Sequence, residues 1–105
     1  MESVYQEALD KSFAELQLDH SEKAKFISFF GLHLPPSDLQ LQSFLSILDL
    51  TLYFSSNSTY VPQTDSDKFA IYLVKKFHSV FGESWKEKVR LVINKIRVLL
   101  DTPLV

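Results

Sequence analysis

Residues 37–54, SDLQLQSFLSILDLTLYF, decide how the rest of the chain has to fold. Laid out at about 3.6 residues per turn, Asp38, Gln42, Ser46, Asp49 and Tyr53 fall on one narrow strip. Leu39, Leu41, Phe44, Leu45, Ile47, Leu48, Leu50, Leu52 and Phe54 take up most of the remaining circumference. A helix this apolar must be packed on several sides. It would reach roughly 27 Å at 1.5 Å per residue, but its two aspartates and the amides and hydroxyls before Tyr53 make a poor membrane span. The expectation is the central helix of a soluble bundle with no membrane partner.

The composition sets the same bounds. A chain of 105 residues is large enough for one core and too small for two, so positions 1–105 read as a single helical domain. Nine phenylalanines supply the core, and only two glycines and four prolines speak against a turn-rich sandwich or a disordered chain. With no cysteine, disulfide scaffolding, thiol catalysis and thiolate metal sites are excluded. The opening MESVYQEALDKSF lacks the basic segment and apolar run of a signal peptide, so the expected location is intracellular, in the cytoplasm. On that basis Asn57-Ser58-Thr59, a match to a glycosylation acceptor, is read as chance.

Around the central helix four more are expected. The first runs from Ser3 to Leu16 or Gln17, with Tyr5, Ala8, Leu9, Ser12, Phe13 and Leu16 on one face. Asp19 and Glu22 stand at capping-box spacing and start a short helix that ends at Phe30, with Gly31 to stop it and Pro35-Pro36 to keep the chain extended. Phe26, Phe29 and Phe30 form its inner side. Ser37 with Gln40 then launches the central helix, and the turn-forming run from Ser55 to Thr59 ends it. The uncharged stretch 55–64 is the longest loop, with Tyr60 and Val61 placed to tuck back. Thr64, Asp65 or Ser66 caps the fourth helix, whose inner face is Phe69, Ala70, Leu73, Val74, Phe77, Val80 and Phe81 and whose outer face is Lys68, Tyr72, Lys75 and Ser79. Gly82 breaks it, Ser84 with Glu87 caps the last helix from Trp85 to Leu100, and Pro103 follows. The fold class is therefore all-α, a bundle of about five helices.

The last helix carries the functional expectation. Trp85, Val89, Val92, Ile93, Ile96, Leu99 and Leu100 make a core stripe, while Leu91 and Val98, one heptad apart with Asn94 between, lie on the far side. Lys86, Arg90 and Arg97 form a basic ridge on one flank, and Lys88 and Lys95 another. Residues 1–22 carry six carboxylates to one lysine, and residues 68–97 eight cations to two carboxylates. Two readings follow: the ends of the chain pack together and compensate, or the basic face serves an acidic partner.

Nothing in the sequence points to chemistry. His20, His33 and His78 have no metal-ligand spacing, and Gly31 and Gly82 are spent as helix stops rather than grouped in a phosphate-cradling or oxyanion loop. Asp49, the one charge between Asp38 and Asp65, reads as part of the solvent strip. No catalytic residue, cofactor or metal is expected. The expected function is that of a small non-enzymatic regulatory or adaptor domain that binds another protein with an acidic surface through Lys86, Arg90, Leu91, Asn94, Arg97 and Val98. The alternative is nucleic-acid binding by the last two helices through Lys68, Tyr72, Lys75, Lys76, Lys86, Arg90 and Arg97. Self-association is a further arrangement the sequence permits.

Overall fold

A computed structural model describes residues 4–30, 38–57 and 59–101. The chain is an all-α bundle, with helices α1 (Val4–Glu15), α2 (His20–Phe30), α3 (Asp38–Ser56), α4 (Asp65–Phe81) and α5 (Trp85–Asp101). A 3₁₀ turn, Gly82–Ser84, joins α4 directly to α5. Among the described residues there is no strand.

Helix α3 is the central rod that its composition demands, packing on α1, α2, α4 and α5. Leu41, Phe44, Leu45, Ile47, Leu48 and Phe54 are buried around it, while Gln42, Ser46, Asp49 and Tyr53 form its exposed strip. Buried Thr51 is satisfied by donating its hydroxyl to the Leu48 carbonyl at 2.6 Å. The core is built on phenylalanine rings: Phe26 of α2 meets Phe13 of α1, Phe44 of α3 and Phe69 of α4 with centroids 5.5, 4.9 and 5.0 Å away.

The helix ends follow from local chemistry. At the start of α2 the Asp19 amide donates to the Glu22 carboxylate at 2.7 Å and the Glu22 amide to Asp19 Oδ1 at 2.9 Å, a complete capping box. Thr64 and Asp67 form another at α4. Gly82, with φ at 69°, ends α4 by donating its amide to the His78 carbonyl. At α5 the expectation fails: the Ser84 hydroxyl donates to the Phe81 carbonyl at 3.2 Å, and the 3₁₀ turn leads the chain into the helix. The expected Gly31 stop, Pro35-Pro36, the Ser37 cap, His33, Ser58 and Pro103 lie outside the described residues, as do the side chains of Phe30, Asp38 and Leu39.

Helix α1 ends without glycine. The Leu18 amide donates to the Phe13 carbonyl at 3.0 Å and the Gln17 amide to Ala14 at 3.1 Å, which forces Gln17 into the left-handed region at φ 54°. Buried Leu18 and Phe13 supply the hydrophobic contact that accompanies such a cap. A side chain at this exposed position carries a conformational cost that glycine would not. Gln17→Gly is therefore expected to stabilise the chain by about 0.5–1 kcal/mol, less whatever the freer unfolded chain takes back. The check is a higher urea midpoint at unchanged m-value.

Two placements differ from the sequence pattern. Val80, expected inside, is 41% exposed, and Val61 does not tuck back. Tyr60 does, its ring centroid 5.2 Å from that of Phe54 and 5.5 Å from that of Tyr53.

Candidate functional site

The six residues singled out on the last helix occupy adjoining strips of α5. Leu91 and Val98 stand on its outer crest, 56% and 67% exposed, with Asn94 exposed between them. Arg90 and Arg97 are exposed on the flank toward α3, and Lys86 is half-buried. Val89, Val92, Ile93 and Ile96 are driven into the core, which fixes the crest outward.

Arg90, Asn94 and Arg97 come together with Asp49 and Leu52 of α3 around a furrow of about 220 Å³ floored by Ile93. Across it Arg97 Nη2 donates to Asp49 Oδ2 at 3.2 Å. The polar strip of α3 and the basic flank of α5 are thus one continuous surface. Both partners are about half exposed, so the pair contributes at most about 1 kcal/mol and can open to a competing carboxylate. On the other flank Lys95 Nζ lies 3.0 Å from Glu15 of α1, and Lys88 sits over the Phe81 ring. Arg90 and Lys86 have no ion pair among the described residues.

Compensation between the two ends of the chain is realised in part, most tightly at a pair that the charge bias of the sequence does not single out. Glu22 of α2 is 2% exposed. Its Oε1 accepts from the Asp19 amide and from Lys76 Nζ of α4, and its Oε2 accepts the Tyr72 hydroxyl at 2.6 Å. Asp19 approaches Lys76 to 4.0 Å. Tyr72, expected to point outward, keeps its ring 49% exposed while its hydroxyl is turned inward. The nucleic-acid face is correspondingly interrupted, because Lys76, Tyr72 and Arg97 already serve carboxylates.

These bonds set two titrations. The Glu22 backbone amide, donating to Asp19, holds that exposed carboxyl below its ordinary value. The hydrogen bond from the Tyr72 hydroxyl to Glu22, with partial burial and the carboxylate's charge, pushes the phenol from 10.0 up to about 12. A raised folded value favours the protonated phenol, so this contribution to stability is whole below pH 10.0 and lost as pH rises through about 12. Ultraviolet titration is expected to show a late-ionising phenol, and Tyr72→Phe to remove that step.

Among the described residues no group of three or more His, Asp or Glu side chains is placed to hold a metal, and no helix is long and apolar enough to cross a membrane. His20 is exposed, and His78 Nε2 lies 3.4 Å from exposed Glu83. Compared with protein-family models, curated proteins and solved structures, the chain matches none.

Proposed function

We propose that the chain is a small, non-enzymatic regulatory or adaptor domain that binds an acidic segment of another protein along the outer crest of α5. The observation that supports this is the pair Leu91 and Val98, exposed at heptad spacing on a helix whose other large apolar groups are buried or half-buried. A partner helix laid along the crest would cover both side chains and Asn94 in two turns. The basic flank favours carboxylates on that partner: α5 carries five cations to two carboxylates, and Arg90 and Lys86 have no ion pair to break among the described residues. Rim charges of this kind act mainly on the association rate, while the apolar pair sets the lifetime of the complex.

The test is affinity capture from cell extract by the wild-type chain, Leu91→Asp and Arg90→Glu, with melting curves in parallel. Because both positions are exposed, folding should change by no more than about 0.5 kcal/mol. A partner held by the wild type is expected to be lost with Leu91→Asp and to associate more slowly, with a weaker salt dependence, with Arg90→Glu. Retention of the same partners by both variants would remove the crest from the interface. Should a second copy be the occupant, sedimentation of the purified chain will show a concentration-dependent dimer that Leu91→Asp dissolves.

A further inference from the structure

A second concavity lies away from α5, between α2 and α4. Helices α2 and α4 scarcely approach each other along their backbones. They are bridged by side chains, Phe69 reaching Phe26 and Phe29, and Tyr72 and Lys76 reaching Glu22. Above these bridges an open cleft of about 570 Å³ is lined by Ser21, Glu22, Lys25, Ser28 and Phe29 from α2 and by Asp65, Lys68, Phe69 and Tyr72 from α4. That volume falls within the usual range for binding sites.

Its aromatic wall is held in advance. The Tyr72 ring stacks on Phe69 with planes 13° apart and centroids at 6.2 Å, and Phe69 rests on Phe29 at 5.6 Å. At the far end of Tyr72 the hydroxyl is tied to Glu22, itself fixed by the Asp19 amide and Lys76. A half-exposed ring restrained at both ends has little freedom left to lose on contact, which is what makes tyrosine an effective anchor.

The charges beside the wall are unequal. Lys25 and Lys68 are exposed, one on each helix, with no ion pair among the described residues. Lys76 compensates Glu22. Asp65, the remaining carboxylate, sits in the first turn of α4, where the helix dipole already offsets it. We propose that this cleft is a second docking groove, for a segment of another protein that lays an aromatic side chain against Tyr72, Phe69 and Phe29 and sets an acidic residue beside Lys25 and Lys68. The open shape suits a chain segment, since a small ligand needs to be largely enclosed. Ser21 and Ser28 offer hydroxyls to its backbone. Two lysines and an opposing aspartate do not make the continuous basic track that a phosphate backbone requires. The groove shares no residue with the α5 crest.

The probe is a displayed library of random peptides selected on the full-length chain, with affinities of enriched peptides measured by fluorescence anisotropy. Enriched sequences are expected to place an aromatic residue next to glutamate or aspartate. The double variant Lys25→Glu/Lys68→Glu is expected to weaken them by more than about tenfold, Tyr72→Ala likewise, and Leu91→Asp to leave them unchanged. The lysine variant replaces only exposed groups, so the result survives if Tyr72→Ala proves unstable. Peptides without acidic residues, or peptides indifferent to the lysine reversals, would overturn the groove. Loss with Leu91→Asp alone would assign the peptides to the crest and overturn the groove while leaving the α5 reading standing.

Discussion

Phe26→Ala is expected to remove about 3–5 kcal/mol of stability. The ring is fully buried at the meeting point of four helices, against Phe13, Phe44 and Phe69. Its three neighbours come from three different elements, so none can relax into the space without leaving its own contacts, and the cavity stays open. The tilted and edge-on ring pairs add about 0.5–1.5 kcal/mol each beyond the area they bury. Against a total of about 5–15 kcal/mol for a domain of ordinary stability, the loss leaves the chain near its unfolding threshold. Urea melts followed by far-ultraviolet circular dichroism give the value. Phe26→Leu should recover a large part of it, because most of the volume is refilled. Val80→Ala is the control: at 41% exposure it should fall within about 0.5 kcal/mol of the wild type. A Phe26→Ala loss no larger than that of Val80→Ala would mean that the rings do not form one packed cluster.

Val80 also shows where the sequence stops being informative. The apolar period of α4 places it near the buried face, and that period is real, with Phe69, Leu73 and Phe77 buried along it. What buries a flank is the neighbouring helix, and its length is not written in α4. Lys76 reaches Glu22 and Asp19 at the first turn of α2, so Val80, one turn farther on, lies past the end of the helix that would cover it. The reading of α3 succeeded for the converse reason, since a rod apolar on nearly every side needs covering whichever neighbours arrive. The α5 crest was legible because Leu91 and Val98 contradict the helix's own stripe. The network of Glu22, Tyr72 and Lys76 was not, because its partners are 50 and 54 residues apart and each has the residue type of an ordinary surface position in its own helix. Its one trace is the acidic bias of the first helices against the basic bias of the last, which gives the sign of an attraction without naming the pair.

That pair carries the second large effect. Removing Lys76 as Lys76→Met, or Glu22 as Glu22→Leu, is expected to cost about 3–5 kcal/mol each, because either change leaves a charge in a site built for two. The Glu22 side chain is 3% exposed and that of Lys76 is 17%. Of the two, the lysine has more scope to escape, since its four-carbon stem can carry the ammonium toward water while the short carboxylate stays where the Asp19 amide and Tyr72 hold it. Lys76→Met should therefore be the more damaging single change. The double variant Glu22→Leu/Lys76→Met removes both charges and fills their place with apolar groups of similar size. It is expected to lie within about 1–2 kcal/mol of the wild type, far above either single variant, because buried ion pairs return little beyond their desolvation. The remaining orphans, the Tyr72 hydroxyl and the Asp19 amide, are cheap because both belong to exposed residues that water can reach. A double-mutant cycle from urea melts measures the coupling directly. Losses that simply add would show the two charges to be solvated independently, and α2 would then be held on α4 by Phe26, Phe29 and Phe69 alone.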